Sequence, residues 1–302
     1  MSNGSTAPEH EMSARIHETH SGIIVLAGDK AYKSKKPVKT EFLDFSTPAR
    51  RERVCAREVE LNSRLAADSY LGVAHLTVPG GGPPEPVIVM RRHPDGARLA
   101  TMVRGSVPAG PVADGLRAIA AALARFHDTA DRNRQIDACG TAEAVRRRWQ
   151  DNFTEMAALE TGTAANVVSA AQLQEIQRLA MQYIAGRSVL FTRRITGRRI
   201  VDGHGDLLAD DIFCLPDGVE ILDCLEFDDN LRYVDVIDDI AFLAMDLEFL
   251  GRRELADFFV EQYRAATDDD APASLLSFYV AYRALVRAKT DCVRFTQGHT
   301  DS

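Results

Sequence analysis

Residues 201–227, VDGHGDLLADDIFCLPDGVEILDCLEF, decide how the rest of the chain is read. The stretch opens with a short approach and a tight turn at His204-Gly205-Asp206. A β-hairpin follows. Its first strand is expected over about Asp211 to Leu215, and Pro216-Asp217-Gly218 is a strong turn signal. The apolar run Val219 to Leu222 supplies the second strand, which ends at Asp223. Folding back brings Asp206, Asp211 and Asp223 to one end of the hairpin, although they are spread over seventeen positions.

Carboxylates brought that close repel each other. At ~4 Å two like charges cost roughly 4 kcal/mol at an effective dielectric of about 20. A fold tolerates such a group when a cation fills the gap, and hard oxygen ligands suit Mg²⁺. Phosphoryl transfer needs this combination: one Asp to orient and deprotonate an attacking hydroxyl, and further ligands for metal ions that bridge the phosphates. Taken alone, the stretch also fits a solvated acidic turn with a hairpin behind it.

The flanking segments bear on that choice. HGDLLADD resembles the HGDLHxxN catalytic loop of the aminoglycoside phosphotransferase-like family, relatives of the protein kinases. Ile221-Leu222-Asp223 resembles the strand whose terminal Asp binds metal, and the segment from Asp235 to Ala241, DVIDDIA, resembles the DPAxDLA segment that braces the loop. A narrower resemblance is to the phosphotransferase half of bacterial bifunctional proteins in which a P-loop ATPase domain follows. It rests on Glu18-Thr19-His20, GDKAYKSKKPV from Gly28, LNSRLAADSYLGV from Leu61 (a helix in that subgroup) and EFDDNLRYVDVIDDIAFLAMDL from Glu226, and it covers roughly residues 16–295. Two departures stand out. The family's loop His is Leu208 and its metal-binding Asn is Asp211. No GxxxxGK[ST] occurs in the sequence, so a P-loop ATPase is expected as a separate partner.

The resemblance implies an α+β, two-lobed protein-kinase-like fold: a tail over 1–14, a small β-rich N-lobe over 15–92 that binds nucleotide, and a larger helical C-lobe over 93–302 that carries catalysis and the acceptor. It implies ATP and Mg²⁺ as cofactors and a small-molecule hydroxyl, such as that of an amino sugar, as acceptor. Asp206 would be the catalytic base, and Asp211 and Asp223 the metal ligands. The alternative is a nucleotide-binding pseudo-enzyme acting as a regulatory module, which Asp211 in place of Asn and the lack of a clear glycine-rich loop both favour.

In chain order, the apolar run 22–27 reads as a strand that Gly28-Asp29 turns into Ala31–Lys35. Alternation puts Lys33 and Lys35 on one face and Tyr32 and Ser34 on the other. By resemblance Lys33 contacts the nucleotide phosphates, with Lys35 as its rival; a basic edge strand is the bland alternative. Residues 18–21 stand where kinases have their phosphate loop. Ser46 or Thr47 caps a helix opened by Pro48 and running to about Ala66. Val54, Glu58, Leu61 and Leu65 share its face, so Glu58 is the expected partner of Lys33, with Glu60 as competitor. Residues 80–84 are a turn between two strands, and the second, Val87–Met90, is buried and leads to His93-Pro94-Asp95-Gly96. In a kinase-like fold this is the hinge, where adenine would meet backbone groups of Met90, Arg91 and Arg92.

Residues 111–130 carry the stripe Leu116, Ile119, Leu123, Phe126 and predict a long helix, with His127 structural. A second helix over 143–159 carries Arg146-Arg147-Arg148, read as a solvated face, and Leu173, Ile176, Ala180 and Tyr183 mark a third. Glu226, Asp228 and Asp229 are candidate contacts for ammonium groups of the acceptor. On the last helix, about Ser274 to Phe295, Arg283 and Arg287 share a face; they read either as charged surface or as a patch for an anionic acceptor.

The net charge of −8 argues against nonspecific binding to nucleic acid or to an acidic membrane. Five dispersed cysteines without CxxC suggest reduced thiols and a cytoplasmic setting. No apolar run is long enough to span a bilayer.

Overall fold

The computed structural model describes residues 14–18, 22–39, 44–77, 80–105, 109–160 and 169–296. The expectations for the tail and for residues 19–21 of the phosphate-loop segment therefore lie outside the described residues. The chain divides into two compact units, Met1–Asp95 and Gly96–Ser302.

The first unit is a five-stranded antiparallel sheet with one helix. Its strands are β1 (Arg15–Glu18), β2 (Gly22–Ala27), β3 (Lys30–Lys35), β4 (Tyr70–Leu76) and β5 (Glu85–Arg91), in the order β1-β2-β3-β5-β4, and α1 spans Pro48–Asn62. Gly28 takes a left-handed φ of 59° in the β2–β3 turn, a conformation glycine adopts without steric cost. Thr47 caps α1 by accepting from the Arg50 N–H, with Pro48 in the first turn. The helix stops at Asn62 rather than near Ala66. The Asn62 side chain donates to the Glu58 carbonyl and the Ser63 hydroxyl to the Val59 carbonyl, so side chains compete for the carbonyls of the last turn. The segment from Leu61 is thus not one helix: its second half, Tyr70 to Val73, is the start of β4. Tyr70 pairs with Met90 and Gly72 with Val89, leaving Leu71 as a bulge that points outward.

The second unit contains α2 (Leu99–Arg104), α3 (Ala109–Thr129), α4 (Arg134–Cys139), α5 (Ala142–Glu160), α6 (Ala170–Ala185), α7 (Ser188–Thr196), β6 (Ile200–Asp202), β7 (Ile212–Leu215), β8 (Gly218–Ile221), α8 (Asp229–Arg232), β9 (Tyr233–Asp235), α9 (Val236–Phe249), α10 (Arg253–Thr267) and α11 (Ala273–Thr296). β7 and β8 form the expected hairpin, and β6 pairs antiparallel with β9. The stripe on α3 is buried as expected. On α6 the buried positions are Leu173, Ala180 and Ile184, while Ile176 faces outward, so the stripe was placed slightly off its true axis.

The core of this unit is α9. Every residue from Val236 to Leu247 is buried, including Asp238, Asp239 and Asp246. Ionised carboxylates are rarely buried without partners, so these three must be satisfied from the elements around them. No helix among the described residues is long and apolar enough to cross a membrane.

Candidate active site

In the first unit, Glu58 is wholly buried on α1 and meets two lysines from alternate positions of β3. Its Oε1 lies 2.7 Å from Lys33 Nζ and its Oε2 lies 2.6 Å from Lys35 Nζ. The sequence poses the two lysines as rivals; the structure gives both to the same carboxylate. They differ in access, because the Lys33 side chain is 15% exposed and that of Lys35 is 3% exposed. Glu60, the competitor for this role, instead pairs with Arg57 on the helix surface.

At the end of β5, Met90 is buried and pairs with Ala31 of β3 and Tyr70 of β4. The Arg91 N–H donates to the Ser69 carbonyl at 2.8 Å, and the Arg92 N–H to the Asp29 carbonyl at 2.9 Å. These two N–H groups are engaged within the unit. Any base bound here takes other groups.

In the second unit, the turn at residues 203–206 follows β6 and is held from beneath by α9. Asp239 Oδ2 accepts from the His204 N–H and Oδ1 from the Gly205 N–H, each at 2.8 Å. His127 Nε2 also contacts Asp239 Oδ2, at 2.9 Å, while its Nδ1 contacts the Tyr263 hydroxyl at 2.7 Å. Burial alone would raise the Asp239 carboxyl. The hydrogen bond and attraction from His127, together with His204 and its N–H, outweigh that and hold it well below the usual carboxylate range. Gly203 is required for this approach, since a Cβ there would lie 2.5 Å from Asp239 Oδ2 and 3.0 Å from Val234.

The two other buried acids of α9 reach the same loop. Asp238 accepts from Arg283 Nε at 2.7 Å, and Arg283 Nη1 donates to the Gly205 carbonyl at 3.1 Å. Arg148 Nη1 lies 3.5 Å from Asp238 Oδ2. Asp246 accepts from the Ala209 N–H at 2.8 Å and from Arg287. Burial raises both carboxyls above their ordinary value, against the pull of these arginines and of the Ala209 N–H. At the N-terminus of α9, Asp235 accepts from the Ile237 N–H and takes a two-pronged ion pair from Arg194, at 2.7 and 2.8 Å. Below the loop, Asp202 pairs with Arg232 Nε at 2.8 Å, and Arg232 also donates to the Leu225 carbonyl.

Asp206 thus follows a residue whose N–H and C=O are both fixed by buried charges. Its own N–H meets His204 Nδ1 at 3.3 Å, and His204 Nε2 meets the Leu222 carbonyl at 3.1 Å, so His204 ties the turn to the end of the hairpin. There the Leu222 N–H donates to the Asp211 carbonyl and the Leu225 N–H to the His204 carbonyl. Asp223 has φ of 63°, unusual outside glycine but better tolerated by Asp than by most residues. Asp206, Asp211 and Asp223 are each partly exposed. No group of three His, Cys, Asp or Glu among the described residues has an arrangement that could hold a metal ion. Two carboxylates together with phosphate oxygens are a donor set that would suit a hard cation.

The other candidates find structural partners. Arg283 is 4% exposed. It is neither solvated surface nor part of an open positive patch, because its guanidinium is turned inward to Asp238 and Gly205. Arg287 is similarly directed to Asp246, and Arg148 leaves the surface run of arginines to approach Asp238. Asp228 caps α8 through the Asn230 N–H at 2.9 Å, and Asp229 pairs with Arg232 at 2.5 Å. Glu226 is partly buried between the hairpin and α8.

No family model matches the chain. Uncharacterized proteins of Mycobacterium bovis and Mycobacterium tuberculosis are each 55% identical over 287 residues, which is 95% of this chain and 56% of theirs. The chain therefore spans about half the length of the curated relatives it matches. Among solved structures, APH(2")-IIIa in its complex with GDP and kanamycin superposes with a TM-score of 0.53 at 13% identity, over 97% of this chain and 94% of that one. Choline kinase from Cryptosporidium parvum gives 0.52 at 9% identity over 97% and 92%. A choline/ethanolamine kinase family protein from Mesorhizobium loti gives 0.51 at 14% over 97% and 84%. At such identities the likeness concerns fold: the chain has an α+β, kinase-like fold with a five-stranded antiparallel sheet in its first part and a larger helical second part.

Proposed function

We propose that the chain is an ATP-dependent phosphotransferase that moves the γ-phosphoryl group to a hydroxyl of a small molecule such as an amino sugar. The observation that carries this reading is the loop before Asp206. The N–H groups of His204 and Gly205 are held by Asp239, and the Gly205 carbonyl by Arg283. So much buried charge fixing one turn is expected where a side chain must be held to within a few tenths of an ångström of a reacting atom.

Asp206 accepts the proton of the acceptor hydroxyl and orients its oxygen. Lys33, set by Glu58, contacts the nucleotide phosphates as a compact positive charge. Asp211 and Asp223 would hold Mg²⁺, which when bound neutralises charge on the phosphates. Glu226, Asp228 and Asp229 would meet ammonium groups of the acceptor. Cytoplasmic residence and association with a P-loop ATPase belong to the same proposal.

The second reading is a nucleotide-binding regulatory module without turnover. Asp211 favours it, because a third carboxylate replaces a neutral amide near Asp206 and Asp223. The deciding experiment is Mg²⁺-dependent ATP turnover by wild type and Asp206→Asn against amino sugars, aminoglycosides and other small alcohols. Acceptor-stimulated turnover, abolished by the substitution while ATP still binds, is the expected result. ATP binding without stimulation by any acceptor would favour the regulatory module, and absence of nucleotide binding would overturn both.

A further inference from the structure

Arg125, Arg132 and Arg199 line a cavity of about 510 Å³ in the second unit, with His127, Tyr263 and Asp268 among the other lining residues. The volume is in the range of small-molecule sites. We propose that this cavity binds a small anion bearing a phosphate or carboxylate group, at a site separate from the hairpin end that carries Asp206.

The central feature is how Arg132 is held. Its Nε donates to the Arg198 carbonyl at 2.9 Å, Nη1 donates to the carbonyls of Asp128 and Ala130 at 3.0 and 2.7 Å, and Nη2 donates to the His127 carbonyl. These four acceptors are neutral. They lock the guanidinium in place without cancelling its charge, and one of its five N–H groups is left for a ligand. Arg199 also lines the cavity, and its Nε lies 3.6 Å from Asp269 Oδ2, beyond hydrogen-bond distance. Arg125 stands exposed at the rim. Two carboxylates, Asp128 and Asp268, also line the cavity, but both are exposed, where water screens their pull. Burial, and then the charges of Arg198 and Arg199, lower the Arg132 pKa, as expected where positive charge is crowded without a full counter-charge.

Two left-handed residues at the cavity, Asp268 (48°) and Arg198 (56°), are the ordinary ends of α10 and α7, and they bring the Arg198 carbonyl to Arg132. His127 lines the cavity and contacts Asp239, which in turn holds the His204 and Gly205 amides. An anion here therefore lies one side chain away from the brace of the loop. Two or three arginines around one small volume favour planar or tetrahedral oxyanions, which accept paired N–H bonds.

The test is titration calorimetry of the full chain with inorganic pyrophosphate and, separately, citrate, without added metal. Wild type is compared with Arg125→Ala, Arg132→Lys and Lys33→Met. Arg125 makes no hydrogen bond that the fold requires, so its variant stays folded; the Lys at 132 keeps the charge and loses the fork. The expected result is binding of at least one anion, weakened roughly tenfold or more by each arginine substitution and unchanged by Lys33→Met. Binding weakened by Lys33→Met alone would place the anion in the first unit and overturn the proposal. So would the absence of binding by either anion at about 10 mM, a concentration well above ordinary metabolite-site affinities.

Discussion

Replacing Asp239 by Asn tests the central physical claim, that an ionised, buried carboxylate holds the loop before Asp206. Asn is nearly the same size, so no cavity opens. Its single oxygen can keep the position of Oδ2, which serves His204 N–H and His127. The NH₂ group then faces the Gly205 N–H, a donor against a donor. One charge-assisted bond, at ~1.5–3 kcal/mol, is lost, and a buried N–H is left unsatisfied at a further ~1–3 kcal/mol. The expected loss of stability is ~3–5 kcal/mol, in line with removing one partner of a buried charged pair. The assay is guanidinium denaturation followed by fluorescence. Trp149 is the single tryptophan; it is buried in α5, stacked on Phe153 and in tilted contact with Phe278 and Tyr282, so it reports the second unit. The pH dependence gives an independent check. The folded pKa of Asp239 lies below its unfolded value of about 3.9, so its contribution is complete above that value and is lost as pH falls toward the folded pKa. Asp238 and Asp246 are shifted upward, so their contributions have the opposite sign, and they are common to both proteins. The wild type should therefore lose more stability than Asp239→Asn as pH falls below about 4. A loss below ~1 kcal/mol at neutral pH, or parallel pH curves, would refute an ionised brace.

In the first unit, Glu58→Gln leaves two lysines against an uncharged amide and should cost ~3–5 kcal/mol, measured as a shift in thermal unfolding. Lys33→Met should cost under ~1.5 kcal/mol, because Lys35 keeps Glu58 paired, yet it should abolish acceptor-stimulated turnover. A Lys35→Met variant with the larger loss of turnover would reverse the assignment of the two lysines. Gly203→Ala places a methyl against Asp239 and Val234, and should cost ~1–3 kcal/mol and slow turnover; calorimetric unfolding beside a rate assay would show whether the loop gives way instead.

Much of this was legible in the sequence, for identifiable reasons. Pro216-Asp217-Gly218 between two apolar runs specifies a hairpin locally, and the stripe of α3 specifies a helix, so both appeared as read. Glu58 stood out because it occupies an apolar face. What the sequence did not reveal was the destination of long side chains. Arg148, Arg283 and Arg287 look like surface charge when only their own helices are considered, and only the third dimension shows that Asp238 and Asp246 lie opposite. A signal was present all the same. DVIDDIAFLAMDL is too apolar for a surface helix and carries too many acids for an ordinary core helix, so its carboxylates required buried partners. The strand before the turn at 80–84 was expected, but its start at Tyr70 fell within a segment read as helix, where a single-residue bulge at Leu71 breaks the alternation that marks a strand. The engagement of the Arg91 and Arg92 amides could not be read at all, since backbone pairing leaves no side-chain trace.

The acids of α9 raise a question of economy, because apolar side chains of similar volume would often fill such positions without loss of stability. The partners supply an answer. Asp239 ends on two loop amides, Asp246 on a third, and Asp238 on an arginine that continues to the Gly205 carbonyl. An apolar α9 would leave those backbone groups buried and unpaired, and the turn would have to open to water to satisfy them. The helix therefore uses charge where an irregular segment crosses a dry interior, the situation in which secondary structure cannot satisfy the backbone. Asp206 sits at the end of that segment, partly exposed, and its position depends on each of the three acids. That arrangement accounts for a buried acidic helix by the loop it supports rather than by the stability it adds.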